Sequence, residues 1–267
     1  MLQASEVHVR FDSAHIVKGV DIAANPGEFT TIIGPNGSGK TTLLRALTGE
    51  IKFDGTVLMN GYDIRNAKPR DLATWRGVLP QSAQLSFPFT VHEVVRLGLT
   101  MGVHDPERDN ERVKEALAAV DMSGFSGRFY QELSGGEAQR VQLARVLSQV
   151  WEPVFDGRPR SLFLDEPISS LDIKHQIQIL SLALDYARRG GTVIAVLHDL
   201  NLTAHFSDHV ILLNRGQVHS DGKPKEVLTA QNLEQVYGCP MAVGAVPRGQ
   251  DFFVLPEITA ATNLEAS

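Results

Sequence analysis

The chain has 267 residues, 43% of them hydrophobic and 21% charged, which describes an ordinary globular protein long enough for one domain with subdomains. Its formal net charge of −6 speaks against nucleic acid as a main partner, because binding to a phosphate backbone runs on clustered Lys and Arg. Cys239 is the only cysteine, which excludes an intrachain disulfide and points to a reducing compartment.

No stretch reaches the roughly 20 apolar residues of a transmembrane helix. The start, MLQASEVHVRFDSAH, lacks the charged-then-apolar order of a signal peptide. The expectation is a chain that stays soluble where it is made and meets a membrane only through a partner.

In chain order, VHVRF and GVDIAANPGE alternate and turn, which predicts antiparallel strands with a Pro26-Gly27 turn. FTTIIG reads as a short buried strand, and KTTLLRALTG as a helix stopped by Gly49. GTVLMNGYDI predicts a hairpin with Asn60-Gly61 at its turn. Between about residues 88 and 150 the period becomes helical, with Val113, Leu117 and Val120 on one face. SLFLD and TVIAVLH are buried-strand candidates separated by the helix DIKHQIQILSLALDYARR, an alternation that implies a parallel sheet with crossover helices. A further helix and the hairpin VILLNRGQVHSDG follow His198, and the tail EITAATNLEAS is expected to fray.

Three motifs carry chemistry. Residues 34 to 41 spell GPNGSGKT, the pattern G-x-x-x-x-G-K-[ST], between a strand and a helix. Backbone N–H groups from Gly37 to Thr41 can curl around phosphate oxygens only where no side chain blocks them, and a helix start adds its positive dipole end. Gly34, Pro35, Asn36, Gly37, Ser38, Gly39, Lys40, Thr41 and Thr42 are therefore the expected nucleotide-phosphate set. Lys40 supplies a point charge, and the Thr41 hydroxyl is a hard-oxygen ligand for Mg²⁺. SLFLDEP then places Asp165 at the end of a buried strand, to hold Mg²⁺ through water, while Glu166 faces the other way and can activate a water. Last, ELSGGEAQRVQLARVL carries Ser134 and Glu137 at capping-box spacing ahead of an amphipathic helix with Val141, Ala144 and Leu147 on one side. A cap needs neither Gly135 nor Gly136, and two glycines at a helix start expose N–H donors for an anion.

The phosphate loop, LSGGE, LFLDEP, SSLD and VLHD occur in an order that resembles the ATP-binding cassette family over about residues 3 to 243, leaving 244–267 as a tail. The resemblance implies an α/β fold: a P-loop NTPase with a RecA-like core, an antiparallel β subdomain and a helical subdomain inserted at about 88–150. It implies that Gln81 contacts Mg²⁺ and the attacking water, that Asp172 communicates across a dimer, that His198 contacts the γ-phosphate and that Phe11 stacks on adenine. Glu137 in place of the family's commoner glutamine and Ile168 in place of its usual threonine are departures. His198, His205 and His209 raise a metal site as an alternative, though only His198 stands at a strand end. In this family Ser134, Gly135, Gly136 and Glu137 of one subunit complete the ATP site of another. The resemblance thus implies a head-to-tail homodimer on the cytoplasmic face of the inner membrane, docked to two transmembrane permease subunits and indirectly served by a periplasmic solute-binding protein.

A DNA-repair ATPase of this family would need a long coiled coil between Thr41 and Leu133, and too few residues lie there. A ribosome-acting relative would carry two cassettes, and a kinase or GTPase has no LSGGE. Among importers the chain looks most like the iron-chelate and vitamin B12 group and, within it, the haem-import branch, on QSAQLSFPFTVHEVVRLG and SQVWEPVFDGRPRSLFLDEP. Haem is the expected cargo, with a ferric siderophore or B12 as alternatives, and no histidine here is expected to ligate it. Phe87, Pro88 and Phe89 either dock a permease helix or pack the helical subdomain from inside.

Overall fold

A computed structural model gives the fold over residues 1–82, 85, 87–101 and 108–244. The tail expected from residue 244 lies outside these residues except for Gly244, as do Ala83, Gln84 and Ser86 of the stretch after Gln81.

Strands β1 (Leu2–Phe11) and β2 (Ala14–Ala24) form an antiparallel pair, and β1 also pairs with β4 (Asp54–Met59). The short β5 (Tyr62–Asp63) completes a four-stranded sheet, β2-β1-β4-β5. The β4–β5 turn is the expected one. Asn60 (φ 51°) and Gly61 (φ 83°) both take positive φ, as a two-residue hairpin turn with the twist of its strands requires.

The second sheet has the order β12-β11-β3-β10-β9-β6. Its members are β3 (Phe29–Ile33), β6 (Arg76–Leu79), β9 (Ser161–Asp165), β10 (Thr192–Val196) and β11 (His209–Asn214), all parallel, with β12 (Gln217–Gly222) antiparallel at one edge. Strands β3, β9 and β10 are buried at every residue, which is why their sequences run apolar without alternating. The pleat still sorts their side chains. Ile32, Phe163, Ile194 and Val196 face the antiparallel sheet across α1 (Lys40–Leu47), packing with Leu43, Leu44 and Leu47. Leu162, Leu164, Val193 and Ala195 face the helices on the other side. The ring of Phe163 is fully buried between layers, and truncating it to Ala costs about 3–5 kcal/mol.

Helices α3 (Val91–Met101), α4 (Asp109–Ala119) and α5 (Gly135–Gln149) pack together, with the predicted Val113, Leu117, Val120, Val141, Ala144 and Leu147 all buried. Ser148 Oγ donates to Val95 O at 3.0 Å, tying α5 to α3. The far end of α5 reaches back to the parallel sheet, where Gln149 Nε2 donates to Ala73 O and Arg76 O. α2 (Pro69–Trp75) leads directly into β6. A small hairpin, β7 (Val154–Phe155) with β8 (Arg158–Pro159), stands between α5 and β9. The crossover helix α6 (Ile173–Arg188) runs from β9 to β10, and α7 (Leu200–Phe206) from β10 to β11. α8 (Pro224–Val227) and α9 (Ala230–Tyr237) cover one face of β3 and β11, with Val227, Leu233 and Val236 packing with Ile33, Val210 and Leu212.

Candidate functional site

The loop from Gly34 to Gly39 joins β3 to α1. At Gly34 the backbone takes φ 149° against β11, and a Cβ there would collide with Leu213 O and meet Ser38 Oγ at 2.8 Å. Only glycine fits. The N-cap of α1 is Gly39, which offers no side-chain oxygen to the first-turn N–H groups, so these donors stay available to an anion. Lys40 is buried, and its Nζ donates to Gly34 O at 2.9 Å and Pro35 O at 3.0 Å, so its ammonium is held over the loop. Burial pushes its pKa down, against the opposing pull of Glu166 and Asp165. Ser38 Oγ is buried without a hydrogen-bond partner. Pro35 and Thr42 are half-buried, while Asn36 and Gly37 are exposed at the tip. A glycine-forced cradle, an orphaned hydroxyl and a held ammonium fit a polyphosphate.

Asp165 stands at the end of β9, buried, with Oδ1 accepting from Thr41 Oγ1 at 3.1 Å. Burial raises its pKa, and the neighbouring Glu166 adds to the rise. Thr41, Asp165 and Gln81 line one cavity of about 320 Å³. Hard oxygen donors gathered on a cavity wall suit Mg²⁺.

Glu166 follows β9 with φ 51°, a left-handed conformation uncommon for a residue with a side chain. Its Oε2 accepts from Gln81 Nε2 at 3.0 Å, and its Oε1 lies 2.7 Å from His198 Nε2. The structure thus brings Gln81, Glu166 and His198 together from three separate chain segments. Because Gln81 gives its Nε2 to Glu166, its Oε1 is the atom left to a cation. His198 is exposed, not an imidazole satisfied in the core. His205 instead stacks edge-on against Phe206, His209 pairs with Asp221 at 2.5 Å, and no metal-holding group of His, Cys, Asp and Glu occurs among the described residues.

Ser134 and Glu137 form the capping box at the start of α5. Glu137 Oε2 accepts from Ser134 N at 2.8 Å and from Ser134 Oγ at 2.7 Å, which lowers the Glu137 pKa. Gly136 approaches the loop after Glu166 so closely that a Cβ would sit 3.0 Å from Ser170 O, whereas Gly135 has open space beside it. Among the described residues no hydrogen bond or ion pair joins 134–137 to 34–42. Asp172 is the N-cap of α6, accepting from His175 N at 2.9 Å, with its pKa lowered by that bond. Phe11 is 48% exposed at the β1–β2 turn. Strand β2, which follows that turn, passes the phosphate loop: Ile16 O lies 3.2 Å from where a Gly39 Cβ would stand. Phe87 and Phe89 divide between the two expectations, since Phe89 packs on the helical core while Phe87 is 69% exposed beside it.

The sequence reading missed Gln139. Its Nε2 donates to Glu166 O at 2.9 Å, so α5 holds the backbone of the residue whose side chain meets Gln81 and His198. Five residues beyond Ser134 on a helix, it carries no signal that spacing alone reveals.

A family model described as ABC transporter matches residues 17–169. A protein of Mesorhizobium japonicum named Hemin import ATP-binding protein HmuV is 53% identical over 96% of this chain and 98% of its own length. A protein of the same name from Jannaschia sp. (strain CCS1) is 54% identical over 98% of this chain and 96% of its own. Among solved structures, a nucleotide-free ATP-binding cassette of an ABC transporter superposes with TM-score 0.72 at 26% identity, covering 90% of this chain and 96% of that one. A dimeric bacterial ABC transporter cassette gives TM-score 0.73 at 28% identity, covering 84% and 99%.

Proposed function

The chain belongs to the ABC transporter family as an ATP-binding subunit, and from that premise we propose that it hydrolyses ATP to power the import of hemin. The observation that carries the cargo is identity above half, over nearly the full length of both chains, to relatives named for hemin import.

In this reading the unit is the cassette of residues 3–243. The amides of residues 37–41 and the Lys40 ammonium hold the phosphates, with Pro35, Asn36 and Thr42 at the margin of the cradle. Thr41, Asp165 and the amide oxygen of Gln81 would hold Mg²⁺, which when bound neutralises charge on phosphate oxygens. Glu166 accepts the proton of a water whose oxygen bonds to the terminal phosphorus as the bond to the ADP oxygen breaks. His198 hydrogen-bonds that phosphate, and its 2.7 Å contact with Glu166 supports the placement. Phe11 stacks on the adenine ring. Ser134, Gly135, Gly136 and Glu137 of a second copy close the site from outside, with Asp172 beside the joint. The partners are then a second cassette, two permease subunits and, indirectly, a periplasmic solute-binding protein, with this chain on the cytoplasmic face of the inner membrane. Phe87 is the exposed apolar residue that the permease covers.

Reconstituted with its permease and binding protein, the complex should show ATPase activity stimulated by haem-loaded binding protein. Stimulation by a ferric siderophore or B12 carrier instead would sink the hemin assignment and leave the importer reading standing.

A further inference from the structure

A second cavity, of about 180 Å³, opens where the β4–β5 turn, the end of α2 and the β7–β8 hairpin meet. Asn60, Trp75, Phe155, Arg158 and Arg160 are on its wall. Arg160 is the anomaly. It is 4% exposed, its Nε and Nη2 are buried with no hydrogen-bond partner, and it makes no ion pair among the described residues. Its guanidinium lies over the Phe155 ring at 4.5 Å. The nearby Glu152 does not neutralise it by contact, because that carboxylate is engaged by Arg112 at 3.9 Å and Arg189 at 3.8 Å. Burial pulls the Arg160 pKa down, yet a guanidinium stays charged in a protein. A buried cation whose donors lack acceptors is among the costliest arrangements in a folded chain, and the usual resolution is an anion that completes it.

The other groups on the wall agree in sign. Arg158 lies over the Tyr62 ring at 5.3 Å. Asn60 donates through its Nδ2 to Pro159 O at 2.9 Å, which fixes it on the cavity wall. Asp156 is the one carboxylate on the wall, exposed at the hairpin turn and in no ion pair among the described residues. Positive charge dominates, and Trp75 and Phe155 supply flat apolar faces. The volume is below the roughly 300–1,000 Å³ of sites for drug-sized ligands, which excludes a nucleotide. Position adds a second argument. Arg76 pairs with Ser161, so Trp75 and Arg160 stand side by side at the starts of β6 and β9.

We propose that this cavity binds a small oxyanion, the carboxylate or phosphate of a molecule of a few heavy atoms, with Arg160 as its buried counter-charge. The site is separate from the phosphate loop and does not depend on the identity of the cargo.

Trp75 is one of two tryptophans, so a Trp151→Phe chain reports on this cavity alone. With ADP present to fill the phosphate loop, that chain is titrated with sodium phosphate and with sodium acetate at constant ionic strength. A saturable change in Trp75 emission is expected. Response to phosphate alone assigns a phosphate ligand, and response to acetate alone assigns a carboxylate. Arg160→Gln should weaken the response about tenfold or more, the loss of a charge-assisted bond. Where circular dichroism shows Arg160→Gln unfolded, Arg158→Gln decides, and there a weaker affinity is expected. No saturable change across the millimolar range, or an affinity that neither variant alters, overturns the proposal.

Discussion

Both oxygens of Glu166 are engaged, one by Gln81 and one by His198. Glu166→Gln keeps the shape of the side chain but cannot accept a proton. Turnover should fall about 10²–10⁴-fold while ATP still binds. Lys40→Ala, which removes the ammonium held over Gly34 and Pro35, should instead abolish binding. Equilibrium nucleotide binding and phosphate release, measured on both variants, separate the two roles, and a Glu166→Gln chain that hydrolyses at the native rate would place the base elsewhere. A residue outside the site gives a pH prediction. The hydrogen bond to Asp221 raises the pKa of His209 above its unfolded value of about 6.5. The stability this contributes is fully present below pH about 6.5 and lost as pH rises through the folded value. The loss in Tm on His209→Gln should therefore be larger at pH 6 than at pH 9, and an equal loss at both would show that packing and not charge is involved.

Among the elements, α5 joins the helical layer to the loop after β9 and to the parallel sheet. Its start carries the Ser134–Glu137 cap, its fifth residue holds Glu166 O, and its end is bonded to Ala73 O and Arg76 O beside β6. Gln139→Ala leaves the phosphate loop untouched but frees the Glu166 peptide, so kcat should fall while KM for ATP stays constant. Gln139→Glu should not rescue, since a carbonyl needs a donor; rescue by Glu in steady-state kinetics would show that helix packing alone matters. The sequence made much of this architecture legible, for physical reasons. Fully buried β3, β9 and β10 read as continuous apolar runs, and Gly34 to Thr41 follows a pattern that backbone geometry enforces. Gln139 was not legible, because its role arises only when α5 meets the loop after β9. Nor was β6, four residues with no run of their own that become a strand by pairing with β9. Phe87 and Phe89 read alike and separate only in three dimensions.

At the scale of the whole molecule, the parts of the proposed ATP site are spread over surfaces that a single copy does not bring together. Ser134 and Gly135 are exposed, and the Asp172 side chain faces solvent while capping its own helix. The Ser134–Glu137 cap takes the Glu137 N–H but leaves those of Gly135 and Gly136 without an acceptor among the described residues, donors suited to a phosphate. In the proposed reading, a second copy arranged head to tail would supply each phosphate loop with the other's α5 start. ATP then favours the paired state only by its greater affinity for that state. Glu166→Gln, which holds ATP without turning it over, should therefore shift from monomer to dimer in light scattering when ATP and Mg²⁺ are added. A further Ser134→Arg change should reverse the shift, because it sets a bulky cation where the phosphate of the partner copy must enter. Loss of the Ser134 cap costs about 1 kcal/mol, too little to unfold the chain. ATP binding by the double variant, measured alongside, confirms that its own phosphate loop is intact. A Glu166→Gln chain that stays monomeric with ATP at high protein concentration would mean that the site closes without a second copy, and the head-to-tail arrangement would be wrong.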